Sequence, residues 1–258
     1  MPIYEQQLQI GISHIGKDGL LKLGPAVDIL QNATWFQIDT ETALIDYFRQ
    51  NHAGMYLVSR QIDIHRLPAY GEHVTVKSWV TNCDRLFGYR NTAIYDSENK
   101  LCIGAYATGP FVDLTKAAPA RISRELLDKV ATYPALDMEI LPRKIPIPPN
   151  MAPQPGPGDP LRPEQILVQN YHLDNYGHMN NARYVDIASA YIPDDFRLKR
   201  IRMEYKKMAL PGDLIIPYVG RGEGDALIIT LNAPEVSGAQ DQGSPDNAVY
   251  TVMEFTKK

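Results

Sequence analysis

The chain has 258 residues and a formal net charge of −4 at neutral pH. Its hydrophobic fraction of 44% and charged fraction of 22% are ordinary for a globular protein and argue against disorder. An acidic chain is not one whose main partner is nucleic acid, and no run approaches the roughly 18 apolar residues of a membrane span. Two cysteines, Cys83 and Cys102, match neither a disulfide framework nor a zinc spacing. With no visible signal peptide, we expect reduced thiols in a cytoplasmic protein.

The first half of the chain predicts one long helix followed by strands. Gly24-Pro25 predicts a helix start, because proline is tolerated in the first turn. Apolar residues at helical spacing continue to about Tyr47. Runs rich in Val, Ile, Tyr and Thr then predict strands near 56–66, 73–82, 86–96 and 101–113.

Proline marks the middle of the chain. Nine of the 20 prolines fall between Pro142 and Pro163. Because proline removes a backbone donor and fixes φ, residues 142–163 are predicted to form an extended, semi-rigid connector. The connector divides the chain into two predicted domains, residues 1–141 and residues 164–258.

The second half repeats the pattern of the first. A Gly-acid turn between two strands occurs in both halves, as Gly71-Glu72 and as Gly212-Asp213, 141 residues apart. An internal duplication explains this order. The predicted fold class is α+β, with each half an antiparallel sheet wrapped around a helix. The elements predicted here are a strand near 165–171, a short helix to about residue 191, strands near 199–208, 213–221, 225–232 and 248–256, and a polar loop over 233–247.

The segment with the most chemistry lies between the first strand and the helix of the second half. Its sequence is Asp174-Asn175-Tyr176-Gly177-His178-Met179-Asn180-Asn181. Gly177 permits a positive φ, and Asn180 or Asn181 is a suitable N-cap for the helix that follows.

Two kinds of group in this segment could take part in catalysis. Backbone N–H groups around Gly177–Met179, at the start of a helix, would form an anion or oxyanion site. Asp174 and His178 could position and activate a water molecule, since an imidazole exchanges protons near neutral pH. The alternative is an Asx-rich turn followed by a helix cap, with no catalytic role.

The segment resembles the active-site motif of the acyl-acyl-carrier-protein (acyl-ACP) thioesterases of bacterial type, a family of tandem hotdog folds. The resemblance covers nearly the whole chain in order. It implies two tandem hotdog units, of which the second carries the catalytic motif. Further matching segments are Asp18-Gly19-Leu20-Leu21-Lys22-Leu23, Leu57-Val58-Ser59-Arg60, Tyr70-Gly71-Glu72 and Leu210-Pro211-Gly212-Asp213.

The resemblance assigns roles to residues of the second half. Asp174 and His178 occupy the family's acid and histidine positions and are the predicted catalytic residues. The family's intervening asparagine position holds Tyr176, with Asn175 beside it. Supporting or oxyanion roles fall on Asn175, Tyr176, Gly177, Met179 and Asn180.

One catalytic position of the family is not filled by a reactive side chain. A further acid or cysteine is expected just before the Pro-Gly-Asp turn, where this chain has Met208 and Ala209. Neither is a nucleophile, a base or an acid, which argues against a covalent cysteine mechanism. Glu204 would share a strand face with Met208 and could substitute, although a surface salt bridge is its more ordinary role.

The first half departs from the motif in another way. When Gly19 is aligned with Gly177, Leu20 stands at the position of His178, so this half is predicted to be catalytically silent. In the family it shapes the pocket for the acyl chain. Its helix offers Ile29, Ala33, Trp35 and Phe36 for that purpose.

The resemblance implies a thioesterase that hydrolyses fatty acyl-ACP to a free fatty acid and ACP, by water attack on the thioester of a phosphopantetheine-linked acyl chain. No metal or organic cofactor is needed. The alternatives are an acyl-CoA thioesterase of the same fold and a catalytically decayed acyl-binding hotdog protein. No nucleic-acid or membrane partner is expected, and a homodimer is one way of covering open sheet edges. A basic stretch that could steer an acidic carrier, or be a plain solvated strand, comprises Lys199, Arg200, Arg202, Lys206 and Lys207.

Overall fold

The structure, a computed structural model, describes residues 3–156, 159–234 and 249–258. The chain divides into two compact units, residues 1–141 and residues 142–258. In each unit an antiparallel sheet packs against a helix. The predicted α+β fold class is therefore confirmed.

The sheet of the first unit has the strand order β1-β4-β5-β6-β3, with the short strands β2 and β7 added along β6. Helix α1 packs against β4, β5 and β1. The elements are β1 (Tyr4–Gln9), α1 (Leu23–Thr40), α2 (Thr42–Asn51), β2 (Ala53–Met55), β3 (Ser59–Ile64), β4 (His73–Cys83), β5 (Phe87–Tyr95), β6 (Leu101–Asp113), β7 (Ala118–Pro119) and α3 (Arg124–Leu127).

The prediction of one long helix that continues to about Tyr47 is wrong in one respect, because α1 ends at Thr40 and α2 begins after Glu41. The backbone of Glu41 leaves the helical region, with φ −86° and ψ 69°. Its carboxylate is buried and accepts a hydrogen bond from Gln37 Nε2 at 2.7 Å, and Gln37 Oε1 accepts one from Arg90. Burial lowers the pKa of the Arg90 guanidinium to about 10. A buried polar network thus occupies the break, and hydrophobic spacing gives no sign of such a network.

The sheet of the second unit has the strand order β11-β13-β14-β15-β12, and β8 pairs with β13. Strands β9 and β10 form a separate two-stranded ribbon. Of the predicted polar loop over 233–247, the part from residue 235 onward lies outside the described residues. The elements are β8 (Ala152–Pro153), β9 (Pro155–Gly156), β10 (Asp159–Pro163), β11 (Ile166–Leu167), α4 (Asn181–Ser189), β12 (Leu198–Tyr205), β13 (Leu214–Arg221), β14 (Leu227–Asn232) and β15 (Val249–Lys257).

The two units share one topology. Their strand orders, β1-β4-β5-β6-β3 and β11-β13-β14-β15-β12, correspond element by element. The glycines of the two Gly-acid turns both have positive φ, +82° at Gly71 and +91° at Gly212. Gly71 N–H donates to Ile10 O at 2.9 Å, and Gly212 N–H donates to Val168 O at 2.9 Å. This agreement in detail supports an internal duplication.

The start of the proline-rich segment is packed into the second unit. Ile145 is only 1% exposed and lies in a cluster with Ile228, Val249 and Val252. Its backbone N–H donates to Glu204 Oε2 at 2.9 Å. The segment therefore adds an apolar side chain to the core of the unit that carries the candidate motif.

We predict that Ile145→Ala lowers the free energy of unfolding of the second unit by about 2–5 kcal/mol, the usual range for removing a buried aliphatic side chain. The matched control is Ile147→Ala, because Ile147 lies in the same segment and is 40% exposed. Urea denaturation followed by circular dichroism measures both. Equal losses in the two variants would show that Ile145 contributes no more to stability than the exposed Ile147 of the same segment.

Candidate active site

The candidate site is the loop of residues 169–180, which leads from β11 to the start of α4. It begins with a 3₁₀ turn over Asn170–His172, in which His172 Nδ1 accepts a hydrogen bond from Gln169 N–H at 3.1 Å. A β-bridge between Leu173 and Met179 then closes the loop. Gly177 lies at its tip with φ +76°, as predicted from sequence.

Helix α4 starts directly after the loop. Asn180 is its N-cap, and Asn180 Oδ1 accepts a hydrogen bond from Ala182 N–H at 2.9 Å. Asn180 N–H donates to His172 O at 2.8 Å, which ties the cap to the beginning of the loop. Of the two asparagines considered for the cap, Asn180 has the role.

Asp174 organises the loop through one carboxylate oxygen. Its Oδ1 accepts hydrogen bonds from the N–H groups of Tyr176 at 2.9 Å and His178 at 3.2 Å. Asp174 N–H also donates to His178 O at 2.8 Å, so the two predicted catalytic residues are paired through the backbone. Among the described residues, Oδ2 has no hydrogen-bond partner and stays available to a water molecule.

His178 presents a partly buried imidazole that makes no hydrogen bond or ion pair within the described part of the chain. Its backbone is held on both sides by Asp174. The main chain of His178 is therefore fixed while its ring nitrogens stay open to a substrate or a water.

The backbone amides of the loop are not available as an oxyanion hole. Gly177 N–H donates to Asp174 O at 3.1 Å, and His178 N–H donates to Asp174 Oδ1. Met179 N–H donates to Ala209 O at 2.9 Å. This geometry corrects the oxyanion role that the sequence suggested for these amides, since each already has an acceptor inside the second unit.

The remaining loop residues divide by exposure. Asn175 and Tyr176 carry exposed side chains at the tip, and Tyr176 is 58% exposed. Met179 is only 3% exposed, so its side chain is part of the core. Asn180 is occupied as the helix cap.

The pair Met208 and Ala209 lies beside the loop, as the family pattern implies. Ala209 is fully buried and accepts the Met179 amide, whereas Met208 is 37% exposed. Both residues follow the end of β12, so Glu204 does not share a strand face with Met208. Glu204 is instead structural, because its carboxylate accepts Ile145 N–H and lies 4.0 Å from Lys206 Nζ.

The basic stretch between Lys199 and Lys207 does not form a free positive surface. Arg200 is 8% exposed, and Arg202 Nη1 lies 2.7 Å from Glu254 Oε1. With Lys206 near Glu204, only the two terminal lysines of the stretch have exposed side chains.

The first unit contains the same loop without the histidine. Gly19 has φ +77°, and Gly16 N–H donates to Leu20 O at 2.9 Å, as Asp174 N–H does to His178 O. Gly11 N–H donates to His14 Nδ1 at 3.1 Å, which repeats the Gln169–His172 bond. The alignment made from sequence therefore holds in three dimensions, and Leu20 stands at the position of His178.

The helix of the first unit separates the four predicted pocket residues into two groups. Ile29 and Ala33 are buried on the inner side of α1. Trp35 is 37% exposed and Phe36 is 45% exposed, with the Phe36 ring 5.9 Å from that of Tyr4. Of the four, only Ile29 and Ala33 face the interior of the unit.

The described residues contain neither a metal-binding cluster nor a membrane-spanning helix. No group of three or more His, Cys, Asp and Glu side chains there could hold a metal ion. No helix there is long and apolar enough to cross a membrane.

Family models match both units. The model of the acyl-ACP thioesterase N-terminal domain matches residues 2–130, and that of the C-terminal domain matches residues 161–231. The chain belongs to the acyl-ACP thioesterase family. A comparison with curated protein sequences finds no match.

Solved structures of acyl-ACP thioesterases have the same tandem hotdog fold. One from Bacteroides thetaiotaomicron matches with a TM-score of 0.78 at 19% identity, covering 99% of this chain and 98% of that one. A 12:0-ACP thioesterase from Umbellularia californica matches with a TM-score of 0.79 at 12% identity, covering 99% of this chain and 97% of that one. At these identities the likeness shows the shared fold.

The stability of this thioesterase should depend on pH through His172, which lies in the loop. Burial, and then the nearby Arg183, lower the pKa of the His172 imidazole below its usual value of 6.5. The unfolded chain therefore binds a proton more readily than the folded one as the pH falls through that value. The stability contributed by neutral His172 is present above the unfolded pKa and is lost as the pH falls.

We predict that His172→Asn, which keeps an acceptor near Nδ1, reduces the drop in melting temperature between about pH 7.5 and about pH 5.5. Thermal unfolding at the two pH values measures the drop in both proteins. His73→Asn is the control, because His73 is exposed and should leave the drop unchanged. An identical drop in wild type and His172→Asn would contradict the assignment.

Proposed function

We propose that this chain hydrolyses the thioester of fatty acyl-ACP at the loop of residues 169–180, with His178 as general base. The observation that carries this assignment is the contrast at His178, whose backbone is hydrogen-bonded on both sides while its imidazole has no described partner. A fixed main chain with an open imidazole suits proton transfer to and from a substrate.

The proposed reaction uses water as nucleophile. His178 takes a proton from the water, whose oxygen forms the new bond to the thioester carbonyl carbon. The C–S bond then breaks, and the imidazolium returns the proton to the leaving phosphopantetheine thiolate. The products are a free fatty acid and ACP with a free thiol. No acid or cysteine at Met208 or Ala209 is needed in this sequence of steps.

Asp174 has two parts in this proposal. Its Oδ1 holds the loop through the amides of Tyr176 and His178, and its Oδ2 accepts a hydrogen bond from the attacking water. Negative charge on the carbonyl oxygen is favoured by the N-terminus of α4, which follows the loop and carries the positive end of the helix dipole.

The first unit is proposed to be catalytically silent. Leu20, at the position of His178, has no group that exchanges a proton. The inner side of α1, with Ile29 and Ala33, is the apolar surface that we assign to the acyl chain.

The physiological context is proposed on the same basis. ACP is the expected carrier because the chain belongs to the acyl-ACP thioesterase family. Free thiols at Cys83 and Cys102 support a reducing compartment such as the cytoplasm. A homodimer stays a prediction, which analytical ultracentrifugation would test.

We predict that His178→Ala lowers kcat for acyl-ACP hydrolysis by at least about 100-fold, the lower range for loss of a general base. Released thiol measures turnover, with one acyl group presented on ACP and on CoA to compare the two carriers. His73→Ala, a change at an exposed histidine of the first unit, should leave kcat unchanged. Unchanged turnover in His178→Ala would remove this site from the mechanism.

The two roles of Asp174 can be separated by two substitutions. Asp174→Asn keeps an oxygen acceptor for both amides but removes the charge, so kcat should fall by about 10-fold or more with little change in melting temperature. Asp174→Ala also removes the acceptor and should destabilise the unit by about 1–2 kcal/mol. If Asp174→Asn turns over at the wild-type rate, Asp174 is a structural residue only.

A further inference from the structure

A buried tyrosine of α4 holds the segment that lies against the His178 loop. Tyr184 is 2% exposed, and its hydroxyl oxygen accepts a hydrogen bond from Ala209 N–H at 2.9 Å. Its ring meets that of Tyr205 edge-on, with 5.9 Å between the ring centroids. Burial raises the pKa of the phenol well above its usual range, so the hydroxyl stays protonated.

Ala209 connects this hydroxyl to the loop. Its N–H is bound by Tyr184, and its carbonyl oxygen accepts the N–H of Met179 at 2.9 Å. Met179 directly follows His178 in the chain. A continuous set of hydrogen bonds therefore runs from the interior of α4, through Ala209, to the residue beside the proposed base.

Ala209 is fully buried, so water cannot replace the tyrosine. Without the hydroxyl, the Ala209 amide would be a buried donor with no acceptor, which is costly for a protein. The segment would have to shift to bring this amide to water or to another acceptor, and it would draw Met179 with it.

The first unit solves the same problem in another way. Its loop residue Leu21, at the position of Met179, donates its N–H to Pro68 O at 2.8 Å. Pro68 stands at the position of Ala209 and, as a proline, has no N–H to satisfy. Five residues after Leu21 the helix has Ala26, whereas five residues after Met179 it has Tyr184. The tyrosine is thus present in the second unit, where Ala209 has an N–H to satisfy, and absent in the first unit, where Pro68 has none.

We propose that Tyr184 is a positioning residue for His178, acting through Ala209 and Met179. The inference rests on the proposed function of the loop. It predicts that the hydroxyl matters for catalysis only because it satisfies the Ala209 amide, and that removing the amide removes the need for it.

The test compares three variants of the full-length protein. Tyr184→Phe keeps the ring and removes the hydroxyl, and we expect kcat for acyl-ACP hydrolysis to fall by about 10- to 100-fold, with KM changed by less than about 3-fold, since a misplaced group costs rate. Tyr184→Phe combined with Ala209→Pro imitates the first unit and should restore kcat to within a few-fold of wild type. Tyr191→Phe is the control, because that hydroxyl binds Glu164, and its loss should lower the melting temperature without lowering kcat.

The outcomes are distinct. Wild-type kcat in Tyr184→Phe would overturn the proposal, as would a double variant that folds but stays as slow as Tyr184→Phe. If Tyr184→Phe does not fold, the double variant decides alone: a kcat within a few-fold of wild type supports the proposal, and a folded double variant slower than wild type by about 10-fold or more overturns it. A second readout needs no turnover: the imidazole proton resonances of His178 should shift in Tyr184→Phe, return in the double variant and stay in place in Tyr191→Phe. Failure of the proposed function would show separately, as equal turnover in wild type and His178→Ala.

Discussion

The hydrogen bonds between the loop of residues 169–180 and the Gly-acid turn are the constraint on which the candidate site depends. The loop belongs to no strand beyond its single bridge, so its position is set by contacts at its ends. Val168 N–H donates to Asp213 O, Gly212 N–H donates to Val168 O, and Met179 N–H donates to Ala209 O. The turn can make these bonds because Gly212 adopts φ +91°, a conformation that most residues avoid. A loop anchored at both ends holds its tip, and so the imidazole of the proposed base His178, in one place.

The duplication shows that this loop structure can form without the side chains of the proposed chemistry. The first unit reproduces the 3₁₀ turn, the positive φ at Gly19 and the pairing of its loop with a Gly-acid turn. It does so with Leu20 in place of a histidine and with Asp18 as the residue whose carboxylate accepts the Leu20 amide at 3.0 Å. The loop geometry therefore comes from glycine positions and backbone pairing, and one side chain determines whether it can transfer a proton.

Much of this could be predicted from the sequence because the controlling features are local. A glycine before His178, an asparagine before the helix and an acid four residues earlier are all readable in one short segment, and the structure uses them as glycine tip, N-cap and loop acceptor. The break at Glu41 could not be predicted, because it goes with a buried network to Arg90, about 50 residues away in the chain. The occupied amide of Met179 could not be predicted either, since its acceptor lies in the turn at Ala209. Contacts between distant segments leave no periodic signal in either partner.

The family pattern places a further acid or cysteine at Met208 or Ala209. In this chain the backbone of Ala209 has a structural role there instead of a reactive side chain. Ala209 uses both its N–H and its carbonyl oxygen, one toward Tyr184 and the other toward Met179. A charged side chain at this fully buried residue would need a partner inside a closely packed interior. With alanine there, the segment serves as a support and the ionisable groups lie on the loop it supports. In the proposed mechanism, hydrolysis then relies on Asp174 and His178, with water as nucleophile. This division explains how the fold retains its site architecture in a chain that lacks the third reactive residue.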